Sequence, residues 1–343
     1  MKYKRIILAL MLIALIATAF LAYNPFGTSA ADPDTDEVTA KMVPVGPAFN
    51  ADSAFAFCQA QCDFGPRTMN SEAHERCAGW IANQFRRYGM EVISQKADLT
   101  GYDGTTLHAT NIIASYRPEL TTRILLCAHW DSRPWADNDP DSANWRKPVM
   151  AANDGASGVA VMLEIARLLS TPDAQHPAPE VGIDFICFDA EDWGTPQWDN
   201  SSNSESSWAL GAQYWAKNPH KARYEARYGI LLDMVGGEGA HFYREGMSER
   251  YASKIVDKVW NAAKGIGYGS IFVDSKGGYV TDDHVPVNDF LHIPTIDIIP
   301  YYPDCERSSF GPTWHTINDT MEHIDKNTLQ AVGQTVVQVI YSE

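Results

Sequence analysis

Two adjacent acids, Glu191 and Asp192, close the segment Phe188-Asp189-Ala190-Glu191-Asp192-Trp193, which follows the mostly apolar run Val181 to Cys187. Such a run predicts a buried strand that delivers both carboxylates to its carboxyl end. Side chains of an extended segment alternate between opposite sides. The two acids are therefore expected to do different jobs, one binding a metal and the other facing a substrate. A solvated strand end is the plainer reading of this pair alone. Against it stand Ala152-Asn153-Asp154-Gly155-Ala156-Ser157-Gly158 upstream and Trp314-His315-Thr316 downstream. One Asp, one further acid and one His, far apart in sequence, are the donors of a catalytic zinc site with an open fourth position.

The elements that must hold these residues follow from periodicity. Glu91 to Ser94, Leu107 to Tyr116, Arg123 to Ala128, Tyr228 to Val235 and Ile293 to Ile299 read as further strands. Asn70-Ser71-Glu72-Ala73 opens a helix with Cys77, Trp80, Ile81 and Phe85 at helical spacing, stopping at Gly89. Other helices are expected at Phe55 to Cys62, Gly158 to Leu169, Trp208 to Lys217, Glu249 to Gly265 and Asp325 to Tyr341. Alternation of this kind predicts an α/β fold, a mixed but mostly parallel central sheet with helices on both faces, in one domain. Ligands of such sheets bind at the carboxyl ends of the strands. His129, Asp131, Glu191, Asp192 and Asp233 are all expected there, which argues for one shared site.

Loops carry fewer signals. The acids Asp137, Asp139 and Asp141 after His129-Trp130-Asp131 superficially resemble a calcium loop, but the required glycine and terminal glutamate are missing, and a solvated loop is the expectation. Gly194 to Ser207 is rich in Ser, Asn and Gly. Trp193, Trp198 and Trp208 around it could wall a pocket or equally pack in a core or lid. The glycines at 265, 267, 269, 277 and 278 fit no phosphate-binding pattern and read as turn residues.

With 343 residues, 45% hydrophobic content and ten tryptophans, the chain has ample material for a core. Its formal charge of −16 argues against nucleic acid and anionic membrane surfaces as partners. Lys2, Lys4 and Arg5 precede an apolar run from Ile6 to Tyr23, ended by Asn24-Pro25, and Thr28-Ser29-Ala30 offers small residues for cleavage. Residues 1–30 therefore read as a signal peptide or an uncleaved membrane anchor, 31–50 as a linker and 51–343 as the catalytic domain. Both leader readings export the chain to the periplasm, held at the inner membrane by residues 6–23 in the second. Cys127 and Cys187 are expected as buried thiols, while Cys58, Cys62 and Cys77 are close enough in sequence for one bridge.

Seven motifs in order carry a resemblance that spans about residues 50–343. They are Phe64-Gly65-Pro66-Arg67, His129-Trp130-Asp131-Ser132, Asn153-Asp154-Gly155-Ala156-Ser157-Gly158, Glu191-Asp192, Leu232-Asp233, Asp282-Asp283-His284-Val285-Pro286 and Trp314-His315-Thr316. The set resembles the zinc aminopeptidase superfamily, whose members include the glutaminyl-peptide cyclotransferases, or glutaminyl cyclases. Asp282 to Pro286, and Trp314 just before the His, look like the cyclase branch. Asp297 stands where animal cyclases carry a His, as in bacterial cyclases. Asp192 stands where they carry a Glu, which makes that ligand arm one methylene shorter.

The resemblance implies one zinc per chain, held by Asp154, Asp192 and His315, with Glu191 as general base and acid. It implies Asp233 and Asp282 as a hydrogen-bonded acid pair beside Glu191. Trp193 and Trp314 would be apolar walls, and His129, Asp131, His284 and Asp297 would line the pocket or support it. The implied substrates are peptides or proteins with an N-terminal glutamine, and a monomer is expected. Aminopeptidases of the superfamily use two zincs, adding residues that match His129 and Asp233. A dizinc aminopeptidase is thus the alternative, and a non-catalytic binding domain of the same fold is the third reading.

Overall fold

The computed structural model of this chain describes residues 42–199 and 205–343. The leader expected over 1–30 and the first part of the linker lie outside the described residues. The rest of the expected linker is packed: Val45 N and Phe49 N donate to Gln338 Oε1 and Gln334 Oε1, both at 2.8 Å. Among the described residues no helix is long and apolar enough to cross a membrane.

Among the described residues there are seven α-helices and eight strands. In chain order they are α1 (Ala51–Cys62), α2 (Glu72–Arg87), β1 (Glu91–Thr100), β2 (Thr106–Tyr116), β3 (Arg123–His129), α3 (Ala156–Leu169) and β4 (Gly182–Phe188). Then follow α4 (Leu210–Lys217), β5 (Gly229–Leu232), β6 (Phe242–Arg244), α5 (Gly246–Gly265), β7 (Phe272–Lys276), α6 (His284–Leu291), β8 (Thr295–Ile298) and α7 (Lys326–Tyr341). Six strands form the central sheet in the order β1-β2-β4-β3-β5-β8. β4, β3, β5 and β8 are mutually parallel, whereas β2 runs antiparallel to β4 and carries β1 as a hairpin partner. The expected mixed, mostly parallel sheet is therefore what the chain builds.

Period-two alternation divides each central strand between two cores. Ile124, Leu126 and Ala128 of β3 face a large core shared with α1, α2, α3, α5 and α7. Leu125 and Cys127, one residue out of phase, face a smaller core containing Ala212 and Trp215 of α4 and Val287 of α6. Cover on both faces explains why β3 and β4 read as mostly apolar runs, since every residue of both is buried.

Helix α2 shows how local signals set an element. Ser71 caps it by accepting from His74 N at 3.1 Å, Glu72 and Glu75 occupy the first turn, and Arg86 and Arg87 the last. Those charges complement the helix dipole at both ends. Three elements lacked sequence signals. β6 and β7 are short partners in a two-stranded parallel sheet. Helix α6 contains Pro286, which is tolerated because it lies in the first turn, where N–H groups have no intrahelical acceptor. The bridge admitted among Cys58, Cys62 and Cys77 does not form, because all six cysteines are free thiols. Cys58 instead donates to Ala152 O at 3.0 Å.

The start of α3 is pressed against the end of β5. A Cβ at Gly158 would lie 2.1 Å from Leu232 O, a backbone atom that cannot swing aside. Gly158→Ala should therefore destabilise the protein by at least about 2 kcal/mol, within the range for overpacked cores. A chemical denaturation midpoint unchanged from wild type would show that α3 can retreat from the sheet.

Candidate metal and catalytic site

The parallel strands point their carboxyl ends at one region. β3 ends in His129 and leads into Trp130 and Asp131, β4 leads into Asp189 to Asp192, and β5 leads into Asp233. Asp154 arrives from the loop before α3, Asp282 from the loop before α6, and His315 from the long segment after β8.

The turn carrying Glu191 and Asp192 is not an extension of the strand. β4 stops at Phe188, and Ala190 takes a left-handed φ of 52°. The two acids diverge because one buried carboxylate grips both of their amides. Asp131 Oδ1 accepts from Glu191 N and Oδ2 from Asp192 N, each at 3.1 Å. Asp189 anchors the same turn by accepting from Thr110 N at 2.5 Å and His74 Nε2 at 2.8 Å. Strand alternation was thus the wrong reason for the two acids' different directions.

Asp154 is placed by similar means. Asp319 accepts from Asn153 N at 2.8 Å and Asp154 N at 3.0 Å. Arg67 Nη2 donates to Ala151 O at 2.8 Å, and Gly236 N donates to Asn153 Oδ1 at 2.9 Å. Gly155 has a φ of 123°, and a Cβ there would meet His129, so the loop passes directly over that ring.

Two groups of three possible donors result, each with its ligand atoms within 4.8 Å of one another: Asp154, Asp192 and His315, and His129, Asp154 and Asp233. His315 Nε2 lies 3.2 Å from Asp192 Oδ1 and 3.5 Å from Asp154 Oδ2. Its ring is stacked on Trp314 at 3.7 Å and on Trp208 at 5.9 Å. His129 Nε2 donates to Asp154 Oδ1 at 2.9 Å and lies 3.2 Å from Asp233 Oδ1. Both carboxylate oxygens of Asp192 are buried without a hydrogen-bond partner among the described residues. Buried carboxylates in that condition are stabilised only by a cation or by protonation. Three hard or borderline donors converging on one point fit zinc.

The electrostatics agree. Burial, then the charge of Asp154, raises the Asp192 pKa. Burial likewise raises Asp233, joined by the charges of Asp282 and Asp154, to about 7. For Glu191 burial acts first and the charges of Asp192 and Asp282 add to it, pushing the carboxyl well above its usual range. Burial opposes the charge on His315, but Asp192 and Asp137 together outweigh it and lift the imidazole to about 9.

A pocket of about 250 Å³ opens beside the first donor group. Glu191, Asp154, Asp233, Asp282, Trp314 and His315 line it together with Trp208, Met234, Tyr279, Val280, Thr281, Ile299 and Phe310. Trp193 is not a wall. Its ring packs against Trp135 at 5.3 Å, and its Nε1 donates to Asp103 at 3.3 Å, because the turn directs it toward the β1–β2 hairpin. Trp208 takes that role. His284 and Asp297 are buried beneath the pocket, not in its lining: His284 Nε2 lies 3.3 Å from Glu245, and Asp297 N donates to Ser248 Oγ. Asp131 is likewise a buried support. Asp137 and Asp139, expected in a solvated loop, are buried, and Asp139 accepts from Asp141 N, Asn144 Nδ2 and Ile317 N. Sequence reasoning missed Asp319 and Tyr279 altogether, and no motif marks either one.

The Peptidase family M28 model matches residues 111–340. A crystal structure of Bacteroides thetaiotaomicron glutaminyl cyclase bound to N-acetylhistamine is similar with a TM-score of 0.84 and 54% identity, covering 87% of this chain and 99% of that one. Aminopeptidase YwaD of Bacillus subtilis is 29% identical over 249 residues, 69% of this chain and 45% of that protein. Glutaminyl-peptide cyclotransferase of Bothrops jararaca is 25% identical over 260 residues, 68% of this chain and 65% of that protein. The chain therefore spans less than two thirds of the length of these two curated relatives.

The charge excess generates a prediction for the metal-free protein. A carboxyl with a raised folded pKa leaves the fold most stable below its ordinary pKa, and that stability is lost as pH climbs through the raised value. Asp233 sets a window from about 4 to about 7, and His315 extends the loss from about 6.5 to about 9. Chelator-treated protein should accordingly lose thermal stability across this range. The gap between zinc-loaded and metal-free melting temperatures should widen with pH. A gap constant from pH 5 to pH 8 would contradict the assignment of these groups to a cation site.

Proposed function

The chain belongs to peptidase family M28, and from that premise we propose that it is a zinc-dependent glutaminyl cyclase. It closes the N-terminal glutamine of peptides and proteins to pyroglutamate and releases ammonia. The observation that carries this reading is the position of Glu191, a buried carboxyl of raised pKa inside a narrow aromatic pocket beside the three-donor group. The Bacteroides thetaiotaomicron enzyme, similar over nearly all of its length, supports the same choice.

Asp154, Asp192 and His315 would hold one zinc, and the metal would supply Lewis-acid polarisation of the substrate's γ-amide carbonyl. The nucleophile is the substrate's own α-amine, so the task left to the protein is to hold the side chain bent toward that amine. A pocket below the roughly 300–1,000 Å³ of drug-sized sites suits a single residue folded on itself. Trp208, Phe310 and Trp314 confine its methylenes. Glu191 takes a proton from the α-amine as the new C–N bond forms and returns it to the departing amide nitrogen, which leaves as ammonia. Asp282 contributes to the raised pKa that suits Glu191 to both transfers. His129, donating to Asp154 and close to Asp233, provides positive charge where a second metal would otherwise be needed.

The second donor group, His129, Asp154 and Asp233, favours the alternative of a dizinc aminopeptidase. The leader residues support an exported, periplasmic enzyme, either released or held by residues 6–23, and a monomer is part of the same reading.

Mass spectrometry of a Gln-initiated peptide after incubation separates the two activities, since cyclisation removes ammonia while an aminopeptidase releases free glutamine. In Glu191→Gln the turnover should fall by roughly 10²–10⁴-fold with bound zinc retained. Loss of zinc together with activity would make Glu191 a ligand and reverse the division of labour with Asp192.

A further inference from the structure

Arg133 lies two residues beyond Asp131 and is about 1% exposed. A guanidinium this deeply buried is costly unless its donors are paired. Its fork is bidentate on Asp137, with Nε to Oδ1 at 3.1 Å and Nη2 to Oδ2 at 2.7 Å. Nη1 donates to the main-chain oxygens of Asp192 at 3.0 Å and Gly194 at 2.9 Å, and it lies 3.6 Å from Asp192 Oδ1. Asp137 Oδ1 in turn lies 3.4 Å from His315 Nδ1, which leaves Nε2 as the ring atom turned to Asp154 and Asp192. The guanidinium also covers the ring of Trp208 at 4.5 Å, and that ring stacks on His315.

We propose that Arg133 is a positioning residue that couples the metal-donor set to the apolar wall of the pocket. It fixes Asp192 through its main chain, orients His315 through Asp137 and backs Trp208 against His315. It also sets a permanent positive charge beside Asp192, within a cluster where acids outnumber cations. A planar fork is required for three of these contacts at once, which a lysine ammonium cannot reproduce. The inference rests on the metal reading of Asp154, Asp192 and His315 and not on cyclisation.

The test compares zinc affinity, by competition with a chelator of known strength, and KM at saturating zinc. Arg133→Met should weaken zinc binding by roughly 10–100-fold, the range for residues that orient ligands, and raise KM as Trp208 loses its backing. Arg133→Lys, which keeps the charge but not the fork, should recover part of the zinc affinity and leave KM raised. Arg123→Met is the structural control. It removes another buried guanidinium, paired with Asp184 at 2.6 Å at the start of β3, the end away from the site, and should lower stability without altering zinc affinity.

A folded Arg133→Met protein with zinc affinity and KM within twofold of wild type would overturn the proposal. Should that variant fail to fold, Arg133→Lys and Asp137→Asn decide: weaker zinc in both upholds it, and wild-type affinity in both overturns it. Zinc weakened by Arg133→Met in a protein that forms no pyroglutamate would uphold the coupling while rejecting the cyclase reading.

Discussion

The arrangement depends on mutual repulsion among carboxylates gathered at the carboxyl ends of β3, β4 and β5. Asp131, Asp154, Glu191, Asp192, Asp233 and Asp282 are all buried there. Two unit charges 4 Å apart repel by about 4 kcal/mol at an effective dielectric constant of 20, so such a group cannot persist without cations or protons among its members. His129 and His315 enter between the acids, Arg133 flanks Asp192, and burial first, then the charge left over, raises the pKa values of Glu191, Asp192, Asp233 and Asp282. A bound cation removes that excess. Burial first, and the same repulsion after it, hold the Glu191 carboxyl well above its usual range.

The acids divide by what their oxygens touch. Asp131, Asp189, Asp319 and Glu245 spend theirs on backbone amides: Glu191 and Asp192, Thr110 and Ala190, Asn153 and Asp154, Met247 and Ser248. Asp131 and Asp319 thereby pin the segments that carry Glu191, Asp192 and Asp154, while Glu245 caps the start of α5. Amide partners direct those carboxylates to the backbone, whereas both oxygens of Asp192 are buried without a hydrogen-bond partner among the described residues. A loop held by ionic bonds to its backbone orders its side chains without their own packing having to do so.

Much of this was legible in the sequence, and the failures share a cause. Strand ends and flanking motifs pointed to Asp154, Asp192, His315, Glu191 and Asp233, the resemblance added Asp282 and the roles, and the fold brings all six to one region. Periodicity placed all six strands of the main sheet and every helix but α6, the central strands because burial on both faces leaves long apolar runs. Orientation was not legible. Trp193 and Trp208 stand on either side of the same loop with the same apolar bulk, and only the left-handed Ala190 and the grip of Asp131 decide which ring reaches the pocket. Asp137 and Asp319 look like surface acids from their neighbours, since the groups that bury them, Arg133 and the amides of Asn153 and Asp154, lie elsewhere in the chain or were given no role.

The metal donors alone do not separate hydrolysis from cyclisation, because both superfamily activities can be built on the same acids and histidines. The difference lies in the nucleophile. Hydrolysis must seat a water against the scissile carbonyl and leave room for the peptide on both sides of it. Cyclisation needs neither, but it does need a chamber in which a glutamine cannot lie extended. The aromatic rings of Trp208, Phe310 and Trp314 line a partly open space of about 250 Å³, with Glu191, Asp233 and Asp282 on the same lining. Shape, acting on a reaction whose barrier is largely entropic, is therefore the property through which this fold would favour the ring closure over attack by water.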